Sequence, residues 1–236
     1  MRNNLRLGLL LSVSLLLTAC PREVRPPPPA PGLPPTPAAD MRGATVYDVS
    51  AADSSIDILV YRAGTLARFG HNHVMTSRKL SGRVWVQPDF PRSGFEVSFP
   101  VADLVVDDPQ ARTAAGSDFP SEIPQADRDG TRKNMLRPEV LDAEHHPTIT
   151  LRSVKVAGTL ESPKVTARIS IKDASRDVEV PASIKVDAAR LTATGELDIL
   201  QTDLGITPFS AALGALQVQD RLHIKFKIVG AKAPAT

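Results

Sequence analysis

The two histidines of Gly70-His71-Asn72-His73 are the residues of this chain best spaced for chemistry. On an extended strand, side chains at i and i+2 share a face, so His71 and His73 would offer two imidazoles to one metal ion. A third ligand would have to come from His145, His146, His223 or Asp220, and no second spaced motif selects among them. The competing account is a hydrogen-bonded turn after Gly70, which the same residues satisfy without metal. Nucleophilic catalysis finds no support. Cys20 is the only thiol, and there is neither a Gly-x-Ser-x-Gly elbow nor a glycine-rich phosphate or dinucleotide loop. Asp142 and Glu144 could form an acid pair, yet beside His145-His146-Pro147 they read as a solvated turn entering a strand. Gln201-Thr202-Asp203 followed by Gly205 reads as a strand leaving through a fixed turn, its polar groups satisfying backbone. No catalytic residue is assigned, and the chain is expected not to be an enzyme.

The single cysteine has a different logic. Arg2 and Arg6 precede an apolar run from Leu7 to Leu17, which leads into Leu17-Thr18-Ala19-Cys20. A basic start, a short apolar middle and small residues at the exit predict a secretory signal over 1–19. The run is well short of the roughly 20 residues a membrane-spanning helix needs. Leu-Thr-Ala-Cys resembles the bacterial lipobox, and the resemblance implies lipid attachment at Cys20. Pro21 in place of an aspartate after the cysteine implies an outer-membrane, periplasm-facing location. From Pro21 to Ala39, nine of nineteen residues are proline. This composition cannot build a core and predicts an extended linker over 20–44, which would reach on the order of 60 Å.

The remainder must form a domain without disulfides. Without Arg2 and Arg6, the 28 basic residues fall to 26 against 26 acidic ones, so the mature chain is neutral. A neutral chain that is only 4% aromatic lacks both the basic patch and the stacking series of a nucleic-acid binder. After Thr45 the hydropathy alternates with period two. Ile56, Ile58 and Val60 show it first, then Val84 and Val86, and Phe95, Val97, Phe99 and Val101. It returns at Ile149 and Leu151, at Val165 to Ile171, and at Val178 to Val186. It ends with Leu191 to Ile199 and Leu222 to Ile228. Strands with one buried face at such short spacing predict an all-β fold over 45–230, an antiparallel barrel or sandwich rather than a βαβ fold. Residues 231–236 are left as a tail. The segment 107–140 breaks the alternation. Asp108-Pro109 opens an alanine-rich stretch, and Gln125 to Leu136 is helix-compatible up to Pro138. This predicts a long connection with one or two short helices over one barrel end, acting as a lid or as a plain plug.

Taken in order, several motifs resemble the YceI-like family. They are Gly70-His71-Asn72-His73, Ser81-Gly82, Asn134-Met135-Leu136, and Leu141-Asp142-Ala143 with His146-Pro147-Thr148-Ile149. Gly195-Glu196-Leu197, Gln201-Thr202-Asp203-Leu204-Gly205-Ile206 and Gln219-Asp220 complete the set, which spans Tyr47 to Val229. The chain departs from the pattern at His146, where the family commonly has an aromatic, and in the proline-rich stretch Ser117 to Pro124.

The resemblance implies an extended, lipocalin-like antiparallel barrel of about eight strands in the bacterial periplasm, with a long apolar cavity for polyisoprenoid or other amphiphilic chains. The candidate lining residues are Ile58, Val60, Phe69, His71, His73, Val84, Val97, Phe99, Met135, Leu136, Ile149, Leu151, Ile169, Leu197, Ile199, Phe209, Ile224 and Phe226. A bound isoprenoid lipid would be the only cofactor-like group, and the membrane, reached through Cys20, the only surface partner. Two alternatives stay open. One is a metal-binding protein or metal-dependent enzyme centred on His71 and His73, the other a structural envelope lipoprotein whose inward side chains fill the barrel.

Overall fold

The computed structural model describes residues 39–234, Ser121 excepted. The expected signal, Cys20 and most of the proline-rich linker lie outside the described residues. No helix among the described residues is long and apolar enough to cross a membrane.

The strands are antiparallel throughout. In chain order they are β1 (Thr45–Val49), β2 (Ser55–Ala63), β3 (His73–Ser77), β4 (Ser81–Val86), β5 (Gly94–Pro100) and β6 (Val105–Val106). Two helices follow, α1 (Pro109–Ala115) and α2 (Gln125–Met135). Then come β7 (Thr148–Gly158), β8 (Pro163–Ile171), β9 (Ala174–Val180), β10 (Ser183–Val186), β11 (Arg190–Leu200), β12 (Ser210–Ala211) and β13 (Leu216–Lys232). The all-β barrel with two short helices in one long connection is therefore as the alternation and the family resemblance together lead one to expect. The described residues hold thirteen strands, however, not about eight. The surplus has a physical origin, because β6 and β12 have two residues each, too few to show a period. β9 and β10 are one alternating run cut at Pro181, which has no N–H to offer a ladder.

β13 is the spine of the sheet. One edge of this 17-residue strand pairs with β11 from Arg221 to Ala231. Its other edge pairs first with β2 and then with β1. β13 reaches Lys232, opposite Tyr47, so the sheet runs two residues past the expected boundary at 230. From β1 the sheet continues through β4, β5, β7 and β8 to β9, while β3 and β6 extend it beyond β2. The sheet does not close. β9 pairs only with β8 and β10 only with β11, leaving a seam at Pro181-Ala182. Gly195 of β11 faces this seam so closely that a Cβ would stand 2.0 Å from the Pro181 carbonyl oxygen.

Where β13 shifts register between Val218 and Leu222, a polar clasp fixes the bulge. The Thr202 N–H and hydroxyl donate to the Asp220 carboxylate at 2.9 and 2.7 Å, and Gln201 Nε2 donates to the Gln219 carbonyl at 2.7 Å. Gln201-Thr202 and Gln219-Asp220 thus satisfy backbone, as expected of that turn. The inner end of the linker is also tied down, since Gln87 Nε2 donates to the carbonyls of Asp40 and Arg42.

Candidate functional site

Inward side chains of nine strands do not meet in the middle. They enclose a chamber of about 170 Å³ lined by aliphatic and phenylalanine side chains, with no polar residue on its wall. Strand alternation explains this directly. Ile56 and Ile58 of β2, Val97 and Phe99 of β5, Ile169 and Ile171 of β8 and Ile224 and Phe226 of β13 all point the same way. A second chamber of about 150 Å³ adjoins it and shares Ile58, Ile149, Ile171 and Leu222 in its wall. Here the wall is mixed. Val60, Met75, Leu104, Met135, Leu141 and Phe209 are joined by His73, Thr131, Asn134 and Gln201. Thr131, Asn134 and Met135 come from α2, so the long connection covers this chamber. Arg132 pins the helix there, donating to the Leu104 carbonyl at 2.7 Å and also to that of Ala102.

Of the candidate lining residues, Ile58, Val84, Val97, Phe99, Ile149, Leu151, Ile169, Leu197, Ile199, Ile224 and Phe226 line the first chamber. Val60, His73, Met135 and Phe209 line the second. Three are placed elsewhere. Phe69 is 70% exposed, because residues 67–69 form a 3₁₀ turn in which alternation no longer sets direction, and its ring lies under the Arg68 guanidinium. Leu136 caps the C-terminus of α2 and packs on the core without reaching either chamber. His71 also lines neither.

His71 belongs instead to a polar cluster behind the second chamber. The rings of His71 and His73 meet edge to face with centroids 4.5 Å apart. His73 Nδ1 lies 2.7 Å from Asp107 Oδ2, and His71 Nε2 lies 3.9 Å from the same oxygen. The other oxygen, Oδ1, accepts from the Val74 N–H at 2.9 Å and from Arg112 Nη1 at 2.5 Å. Asp107 and Arg112 side chains are both fully buried. Arg112 also donates to the Asn72 carbonyl at 2.6 Å and to the Pro120 carbonyl at 2.5 Å, tying α1 and the loop after it to the segment before β3. Burial alone would raise the Asp107 carboxyl. The hydrogen bond and charge of His73, the Val74 amide and Arg112 outweigh it and hold the group below the ordinary carboxylate range. Burial, followed by the neighbouring His73, lowers His71, which favours its neutral ring. His71 Nε2 is buried without a hydrogen-bond partner, a state that typically costs about 1–3 kcal/mol.

None of the expected third ligands joins the histidine pair. His145 lies 2.8 Å from Asp142 in the turn before β7, and His146 is near Asp142 and Asp173. His223 sits between Glu196 and Asp198, and Asp220 is engaged by Thr202. The acid that does approach, Asp107, is brought by two pairs, Met75↔Val106 and Thr76↔Val105. The one signal that could have found it is Asp107-Asp108-Pro109, where the helix cap is Asp108 and Asp107 is left over. Asp142 engages His145 and His146 in the turn that leads into β7.

The family model of the YceI-like domain matches residues 47–230. No curated protein matches the chain. Among solved structures, BcnA of Burkholderia cenocepacia is similar at 18% identity and a TM-score of 0.55, over 77% of this chain and 99% of that one. The YCEI protein of Campylobacter jejuni aligns at 14% identity and a TM-score of 0.46, over 66% of this chain and 82% of that one.

Proposed function

Because the chain belongs to the YceI-like family, we propose that it is a non-catalytic carrier or scavenger of isoprenoid-like amphiphiles, held to the periplasmic side of the outer membrane through Cys20. The observation that carries this reading is the pair of adjoining chambers with graded polarity. A hydrocarbon tail fits the first, where no polar group would lose its water, and a polar head fits the second beside Thr131, Asn134 and Gln201.

Magnitudes set the size of the cargo. A dry cavity of about 150 Å³ lined by Leu, Ile and Phe admits a benzene-sized group, so the two chambers hold about a dozen carbons. At ~0.8 kcal/mol per buried CH₂, that contributes on the order of 10 kcal/mol. A micromolar complex needs about 8 kcal/mol, which leaves little once ordering costs are subtracted. The chambers therefore suit a short prenyl chain, or the head-proximal part of a longer one whose remainder stays outside or widens the seam.

The test is lipid extraction and native mass spectrometry of the full chain purified from its host, followed by titration with farnesol. The reading expects a co-purified apolar chain and micromolar affinity. Ligand-free protein with no farnesol affinity below millimolar would end it.

A further inference from the structure

A lipid-carrying cavity leaves the histidine cluster unexplained. His71 touches neither chamber, and its Nε2 is buried facing the Asp107 carboxylate without a hydrogen bond. One hydrogen bond from His73 would be enough to seat Asp107, and a second imidazole adds nothing to that task. The carboxylate is also already divided between two duties. Oδ1 takes Arg112 and the Val74 amide, while Oδ2 is turned to both rings. One atom from each of His71, His73 and Asp107 lies within 4.8 Å of the other two.

We propose that His71 Nε2, His73 Nδ1 and Asp107 Oδ2 form a binding site for a divalent first-row transition cation of the zinc class. Two imidazole nitrogens and one carboxylate oxygen select zinc, cobalt, nickel or copper over calcium and magnesium, which prefer oxygen alone. Tetrahedral coordination at roughly 2.0–2.2 Å separates ligand atoms by about 3.3 Å. The 2.7 Å pair would open and the 3.9 Å pair would close by about 0.6 Å each, and the two imidazole nitrogens would have to come to the same spacing. Side-chain rotation supplies such shifts. Coordination uses the Nδ1 lone pair of His73. The proton now shared with Asp107 therefore moves to Nε2 or, from a doubly protonated ring, to solvent. Arg112 does not compete for the ligand oxygen. It holds the opposite one, as second-layer partners of metal-binding carboxylates do. Its positive charge lowers affinity relative to a site without it. Three protein ligands leave the fourth tetrahedral position to a water carried in with the ion.

The test uses the full chain, stripped with chelator and titrated with Zn²⁺ by calorimetry and with Co²⁺ by visible absorption. One equivalent should bind at micromolar or tighter affinity, with cobalt bands of tetrahedral nitrogen–oxygen coordination. His71→Ala should weaken zinc by at least thirtyfold, whereas His223→Ala and His145→Ala, at the other histidine–acid clusters, should change it less than twofold. Should His71→Ala fail to fold, the cobalt spectrum of the unaltered chain decides alone, and its absence overturns the site. Zinc binding weaker than millimolar overturns it too, as does loss on His223→Ala or His145→Ala in place of His71→Ala. Farnesol affinity is measured in parallel, and its absence leaves the metal result standing by itself.

Discussion

The two chambers are built by different rules. The first is walled by strands, apart from Leu204 of a 3₁₀ turn and Ala182 in the break between β9 and β10, and its strand residues are placed by a local period of two that neighbouring ladders merely extend. The second is finished by α2 and the connection around it, and nothing local positions those elements. Two-residue β6 sets Asp107 beside β3, and Asp107 and Arg112 then tie α1 to Asn72 and Pro120. An apolar face folds wherever burial is favourable. A buried ion pair is satisfied in one arrangement only, so here it specifies where the connection lies.

Removing the specifying charge should therefore have the largest effect. Asp107→Ala leaves the Arg112 guanidinium buried with no counter-charge, a change that typically costs about 3–5 kcal/mol. Urea unfolding should show that loss, with strand circular dichroism retained in water. A loss under about 1 kcal/mol would mean that the connection is held by its apolar contacts, and the contrast between the chambers would dissolve. On the strand-built side, Ala193→Phe places a benzene-sized group in the first chamber. If that chamber is hollow, stability should change by under about 1 kcal/mol while farnesol affinity falls about tenfold or more. Overpacking of a solid core would instead cost about 1–3 kcal/mol.

The same division explains what the sequence discloses. The first chamber was legible because β2, β5, β8 and β13 alternate over seven residues or more, enough for a period to be read. Phe69 falls outside both chambers because it lies in a 3₁₀ turn, beyond any alternating run, where successive side chains fan out. The histidine pair was visible as spacing, but its acidic partner was not. Asp107 is 34 residues from His73, and the strand that bridges them is two residues long. His145, His146, His223 and Asp220, the third ligands that residue type suggests, each satisfy a turn, a bulge or a neighbouring acid on another part of the sheet. Long-range polar pairing has no period, and only the fold reveals it.

The smallest expected effect concerns the cover of the second chamber. Gly130 lies inside α2 with nothing within 4 Å of where a Cβ would stand, and no packing requires a glycine there. Gly130→Ala should thus stabilise the helix by about 0.5–1 kcal/mol through lost freedom in the unfolded chain. If α2 opens to admit cargo, a stiffer helix should slow farnesol dissociation several-fold in stopped-flow measurements and leave equilibrium affinity within about twofold. Equal rates in the two proteins, at the expected gain in stability, would place the entry route elsewhere. The seam at Pro181-Ala182 is then the candidate, since Pro181 already interrupts the ladder there and β9 and β10 pair only with β8 and β11 on either side of it. Strand-built and connection-built regions would exchange roles, the first chamber serving as both tail pocket and door.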